Sequence, residues 1–263
     1  MSDTVTLTNR IVCYSVLPLM RVLYQEKKDS PLMRMLVGVD GTFQLGAKGS
    51  GDGAWLEFSG GECKVSPGVN DAADIAIEFR DRASMNAMFT GGKPAEIGLP
   101  RLRGIWRLPL LIKILPLLLG LTLLMPDKQP KDEKTRELKV RLIMYMVANA
   151  LSQLNKGGDE DMVRWAAKQP DRIYQFSVLP DNEPAAYLRV KGGRTKAGRG
   201  MYTRKAPFIH MQFNSLDGAY KVFAENKETV SAMADGDLTL EGSPEYGGVI
   251  GSFMVRISDL LLG

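Results

Sequence analysis

Two hydrophobic periods alternate along this chain, and they do so in the same order twice. Apolar residues at helical spacing come first, over 9–25 in the front half and 132–156 in the back half. The later stretch is well delimited: Asp132 and Glu133 open it, Gly157-Gly158 close it, and Val140, Ile143, Val147, Ala150, Leu151 and Leu154 form its apolar face. Shorter helices are predicted at 31–38 and 160–168. Alternation with a period of two then predicts three antiparallel strands in each half, at 41–46, 54–60 and 62–66, and at 172–178, 185–191 and 194–199. A fourth strand is predicted at 73–79 and 207–213, and a helix at 82–89 and 215–223. The back half adds a helical turn at 227–233. A last strand is placed at 95–98 and 237–241, and an apolar helix closes each half.

The residues repeat as well as the pattern. Asp40-Gly41-Thr42-Phe43-Gln44 matches Asp171-Arg172-Ile173-Tyr174-Gln175. Ala54-Trp55-Leu56-Glu57-Phe58-Ser59-Gly60-Gly61 matches Ala186-Tyr187-Leu188-Arg189-Val190-Lys191-Gly192-Gly193. Ile75 to Phe79 matches Ile209 to Phe213, Phe89 falls opposite Phe223, and each half ends in Leu-Leu-Leu-Gly, at 117–120 and 260–263. Any one match is weak, but their common order points to an internal duplication. Pro126-Asp127-Lys128-Gln129-Pro130-Lys131, with two prolines and alternating charge, marks the boundary, so the units are placed at 1–126 and 127–263.

The stretch from Ala206 to Gly242 carries a family likeness. In it the strand Phe208 to Phe213 runs into Asn214-Ser215-Leu216-Asp217-Gly218, which opens a helix, and the strand Asp235-Gly236-Asp237-Leu238-Thr239-Leu240-Glu241-Gly242 follows. Residues 73–98 repeat this more loosely. The order resembles the sterol-carrier-protein type 2 family. The resemblance implies an α+β fold: two units, each a five-stranded, mostly antiparallel sheet covered by helices, with an apolar tunnel between sheet and helices. It also implies binding of sterols, fatty acyl chains, acyl-CoA or isoprenoid lipids without catalysis and without a cofactor. The tunnel would be lined by Phe79, Met85, Met88, Phe89, Leu110 and Ile114 in the front unit, and by Phe213, Tyr220, Phe223 and Phe253 in the back unit. The chain's 14 methionines suit such a lining, because thioethers are flexible and polarizable.

The front unit departs from a simple carrier in its last segment, Leu99 to Pro126. Leu108 to Met125 nears the length of a spanning helix, but Lys113 lies inside it and Pro109 and Pro116 interrupt the hydrogen-bond ladder. Arg101, Arg103, Trp106 and Arg107 crowd its leading edge. Trp at headgroup depth and Arg on lipid phosphate are the make-up of an interfacial anchor, so these four are the predicted membrane-docking residues. A buried helix is the competing reading.

Composition narrows the chemistry. The single histidine, His210, and the two cysteines, Cys13 and Cys63, are too few for a zinc site or a disulfide framework. His210 sits in an alternating strand and reads as a hydrogen-bonded sheet residue. Gly49-Ser50-Gly51-Asp52-Gly53 lacks the spacing of a dinucleotide fingerprint, and Asp235-Gly236-Asp237 lacks the remaining ligands of a calcium loop. With 34 basic and 30 acidic residues the net charge is only +4, and the excess falls equally in the two halves, too diffuse for a nucleic-acid binder. A local basic run, Lys191, Arg194, Lys196, Arg199, Arg204 and Lys205, occurs in the back half alone; it reads as a solvated hairpin loop, with a contact for anionic lipid or acyl-CoA, or for nucleic acid, as the alternatives. No secretory signal is read at Met1-Ser2-Asp3-Thr4, which makes the cytoplasm the expected compartment, with peripheral membrane contact.

The sequence thus leads to a non-catalytic lipid carrier working at a membrane surface. The alternative is an accessory scaffold that presents a lipid-like intermediate, such as a quinone precursor, to partner enzymes. A third reading, an enzyme acting on a lipid, would need His210 or a carboxylate such as Glu78 at the cavity.

Overall fold

The computed structural model describes residues 3–225 and 227–262. Met1 and Ser2, and the Gly263 that ends the second Leu-Leu-Leu-Gly match, lie outside them. The described chain is α+β and separates into two compact units, one spanning Asp3–Met125 and the other beginning at Pro126.

The front unit opens with α1 (Thr4–Ile11), capped by Asp3, whose carboxylate accepts from the Val5 amide at 3.3 Å. The single helix expected over 9–25 is interrupted. A wider π turn, Val12–Val16, leads to Pro18, which has no N–H for the ladder, and α2 (Leu19–Lys27) restarts beyond it. α3 (Pro31–Met35), β1 (Gly41–Ala47), β2 (Gly53–Ser59), β3 (Glu62–Pro67), β4 (Ile75–Phe79) and α4 (Arg82–Phe89) follow. The strand expected at 95–98 is instead a helical turn, α5 (Pro94–Ile97). Pro94 fixes the helical φ, and the Glu96 carboxylate accepts from the Lys93 amide at 3.0 Å. The last strand, β5 (Arg101–Arg103), comes after the positive-φ Gly98, and α6 (Leu108–Leu121) follows it. Pro116 does not break α6: the carbonyl it leaves without a partner, that of Ile112, is at an exposed position where water can reach it.

The back unit has α7 (Glu133–Lys156), α8 (Glu160–Ala167), β6 (Arg172–Val178), β7 (Ala185–Lys191), β8 (Arg194–Arg199), β9 (Ile209–Phe213), α9 (Leu216–Ala224), α10 (Thr229–Ala234), β10 (Leu238–Gly242) and α11 (Pro244–Leu262). Asp132 caps α7 through the Thr135 amide at 2.8 Å.

Both sheets have five strands in one topology: β3-β2-β1-β4-β5 in front, and its counterpart β8-β7-β6-β9-β10 behind. Each is a mixed sheet, with three antiparallel pairings and one parallel. β1 pairs with β4, and β6 with β9, in parallel. The meander of the first three strands ends at one edge. The chain then crosses the sheet to the far side of the first strand, so the fourth strand must run with the first.

The registers agree between the units. Phe43 faces Leu56 and Ile75, as Tyr174 faces Leu188 and Ile209; Ile77 faces Leu102, as Met211 faces Leu240. Side chains at matched positions also do matched work. Gln44 accepts from the Asn70 amide and Gln175 from the Tyr202 amide at 2.9 Å, each tying the crossing loop to the back of its sheet. The Tyr24 hydroxyl donates to the Gly61 carbonyl at 3.0 Å, and the Asn155 amide to the Gly193 carbonyl at 2.9 Å, each fixing the hairpin to a helix. The apolar face of each sheet turns toward its helices: Phe43, Leu45, Leu56, Phe58 and Phe79 in front, Tyr174, Phe176, Leu188, Met211 and Phe213 behind, all buried.

Candidate functional site

The front unit's closing segment has two unlike faces. Leu110, Ile114, Leu117 and Leu121 are buried against the unit, while Leu108, Ile112, Leu115 and Leu119 form an exposed stripe at helical spacing. The stripe continues into the segment before α6, where Leu99 is 99% exposed, Trp106 79%, and Leu102 and Ile105 about half. A surface helix normally turns such residues inward, so an apolar belt rimmed by charge marks a contact surface. In the back unit the exposed large apolar residues are scattered: Val163, Met201, Val230 and Val255. Among the described residues no helix is long and apolar enough to cross a membrane.

The four predicted docking residues divide into two groups. Arg101 and Arg103 are exposed on the edge strand β5, opposite Glu78 and Ala76, and Trp106 stands in the loop beyond. Register places Thr239 and Glu241 at the corresponding positions of β10, so the basic edge is particular to the front unit. Arg107 is already engaged. It donates to the Asp74 carboxylate and, at 3.2 Å, to the Asp40 carbonyl, while Asp74 accepts from the Thr42 amide and hydroxyl at 2.8 and 3.0 Å. Burial alone would raise the Asp74 carboxyl, but the Thr42 hydrogen bonds and the Arg107 guanidinium outweigh it and hold it below the usual carboxylate range. Arg107 therefore ties the loop between β5 and α6 to Asp74 and Asp40.

Of the predicted tunnel residues, Phe79, Met85, Leu110, Ile114, Phe213, Tyr220, Phe223 and Phe253 are buried and Phe89 is half-buried. Met88 is 49% exposed: it lies one turn from Met85, at the margin of the face that α4 buries. Phe213 and Phe223 pack at 4.8 Å, and Phe253 meets Trp165 at 5.5 Å.

Lys113 is the one charge in α6, and its side chain is wholly buried. Nζ donates to the Val39 carbonyl at 2.9 Å and lies 4.8 Å from the centre of the Phe58 ring and 5.6 Å from that of Tyr24. Burial pushes the ammonium below the usual lysine range, against a small opposing effect of Asp40. Nearby Cys63, and Cys13 on the π turn, are buried thiols pushed up to about 12 by desolvation, hence unreactive. The sequence singled out Lys113 only as an interruption; its inward direction depends on the phase of α6, which the all-apolar flanks conceal.

His210, expected as a hydrogen-bonded sheet residue, lies in a polar network on the back of the second sheet whose partners the sequence did not reveal. His210 Nε2 is 2.8 Å from the Ser177 hydroxyl, which donates to Asn182 Oδ1 at 2.9 Å, and Gln212 Nε2 lies 3.4 Å from His210 Nδ1. With the proton on Nε2 each of these contacts has one donor and one acceptor. Glu241, largely exposed, stands 3.6 Å from Nδ1. Ser177 is 0% exposed and its hydroxyl is committed to Asn182, so the network reads as a satisfied sheet-back contact. Its counterpart positions in front are Gly46, Ala76 and Arg103.

Desolvation lowers the His210 pKa despite Glu241, and this yields a pH prediction. The unfolded chain takes up the proton near pH 6.5. The folded chain resists until lower pH, so stability is complete above that value and falls as pH drops through the window below it. His210 is the only histidine. Urea midpoints measured from pH 7.5 to 5 should fall in the wild type and stay flatter in His210→Gln; equal slopes would refute the assignment.

The basic run lies on the β7–β8 hairpin and the segment that follows it. Lys191, Arg194 and Lys196 are exposed on β7 and β8, Arg199 lies 5.0 Å over the Tyr145 ring, and Lys205 donates to the Asp171 carbonyl. Among the described residues no group of three His, Cys, Asp or Glu side chains is arranged to hold a metal. Comparisons with protein-family models and with curated proteins find no match for this chain.

Proposed function

We propose that the protein is a non-catalytic carrier of a hydrophobic lipid, built from two sterol-carrier-like units derived by duplication, that works peripherally at a membrane surface on the cytoplasmic side. The observation that carries this reading is the exposed apolar belt of the front unit, Leu99 to Leu119, beside Arg101, Arg103 and Trp106. Matched strand orders, registers and loop-tying glutamines support the duplication. The sterol-carrier likeness adds an apolar tunnel under the helices, and the inward aromatic and methionine side chains suit it. Hydrophobic transfer supplies the affinity: a chain of about 16 carbons gains on the order of 10 kcal/mol before ordering costs. Such a site needs few polar groups and leaves little chemical signature.

The test is mass spectrometry of an organic extract of the purified protein, beside native mass spectrometry of the intact chain. One or two co-purified lipids per chain are expected. Lipid-free protein that also fails to take up any added lipid would overturn the carrier reading. The same belt also favours the scaffold reading, in which it meets an enzyme. That reading predicts a stable protein partner and no flotation with protein-free vesicles.

A further inference from the structure

Lys113 has a cost that its visible contacts do not offset. An ammonium withdrawn from water needs a counter-charge or a full set of acceptors. Lys113 has three N–H donors, and the Val39 carbonyl takes one. The Phe58 and Tyr24 rings supply π-electron density but no conventional acceptor. Among the described residues no carboxylate pairs with it. Its neighbours on the inner face of α6 are Leu110, Ile114 and Leu117, and a further leucine or methionine there would avoid the desolvation altogether. A group that breaks the local rule so plainly calls for a compensating role.

We propose that Lys113 is the headgroup subsite of the front unit and that its ligand is a long-chain carboxylic acid, the carboxylate accepting from the ammonium and the alkyl chain running along the inner face of α6. This rests on the carrier reading and names its ligand class. Charge selects the class: one buried ammonium balances one negative charge. A phosphate monoester or a coenzyme A thioester would bury surplus negative charge, and a sterol or isoprenoid alcohol would leave the ammonium uncompensated. α6 is the last helix of its unit and packs on α2, where Gly120 lies so close to Leu23 that a β-carbon would come within 2.9 Å of it, so the bound chain has to displace α6 from its inner contacts.

The experiment uses the full-length, delipidated protein with oleic acid and oleyl alcohol as matched probes. Wild type should bind oleate about 30-fold more tightly than the alcohol, and Lys113→Met should lose about 30-fold for oleate while keeping its affinity for the alcohol. Equal binding of the two probes, or an unchanged oleate affinity in Lys113→Met, overturns the Lys113 assignment and leaves the carrier reading intact. Failure of wild type to bind either probe or any other lipid overturns both. A measurement on wild type alone removes dependence on the variant's folding. The carboxyl signal of ¹³C-labelled oleate should remain that of the ionised form to lower pH when bound than in free micelles. A bound carboxyl that protonates at the same or higher pH refutes the subsite.

Discussion

Replacing Gly104 with alanine should destabilise the front unit by about 4 kcal/mol. Gly104 joins β5 to the loop that carries Trp106 and Arg107, and its φ is +72°. A side chain in that region costs roughly 1–2 kcal/mol. Space is the larger obstacle: a β-carbon at 104 would stand 1.7 Å from the Asp74 carbonyl oxygen, which is backbone and cannot swing aside. Relief requires moving the start of β4, and with it the Asp74 carboxylate that holds Thr42 and Arg107. Overpacking of this kind adds roughly 1–3 kcal/mol. Gly60→Ala is the control. Its φ is +57°, but nothing lies within 4 Å of the added carbon, so only the backbone cost of about 1 kcal/mol remains. Urea unfolding of the full chain reads both, and similar losses for the two variants would show that the close approach at Asp74 is not rigid. The back unit repeats the device: Gly242, with φ +109°, would place a β-carbon 2.4 Å from the Phe208 carbonyl oxygen.

That pair of glycines shows where sequence reading succeeds and where it stops. Strands with alternating burial, and helices capped by Asp132 or closed by Gly157, announce themselves within a few residues. The likeness of the two units was legible because aligned pairs such as Gln44 and Gln175 share both residue type and task. The fifth strand was not legible in front, since β5 is short and alternates charge with a single leucine, while the proline turn before it carries a stronger local signal. The parallel central pairing depends on where a crossing loop lands, which no local pattern encodes. The site divides the same way. Sequence found the charged edge and the apolar helix, because both are matters of composition. It could not separate Arg107 from Arg101 and Arg103: the difference is a partner, Asp74, far away in the chain. It could not see that Lys113 points inward, or that Ser177 and His210 meet across two strands, because both are facts of phase and register.

The division among the arginines makes the second large prediction specific. Arg101→Gln/Arg103→Gln/Trp106→Ala should reduce partitioning onto vesicles containing phosphatidylserine by about 100-fold. Each arginine near an anionic surface contributes about 1 kcal/mol, and transfer of an exposed tryptophan into the interface adds a comparable amount. Among the described residues none of the three is engaged as Arg107 is, so the fold should survive, and an unchanged urea midpoint verifies that. Salt separates the contributions. Raising ionic strength toward 1 M shortens the Debye length to about 3 Å and should remove most of the arginine contribution while sparing that of the apolar belt. Ile112→Glu/Leu115→Glu/Leu119→Glu should abolish flotation at any salt, because it places carboxylates where acyl chains would lie. Neutralising Lys191, Arg194 and Lys196 on the β7–β8 hairpin of the back unit should leave flotation unchanged. If the arginine and tryptophan variant floats like wild type, the β5 edge is not the docking surface. If it is the basic hairpin variant that loses binding, the membrane meets the back unit, and the apolar belt of α6 is left as the face for a protein partner.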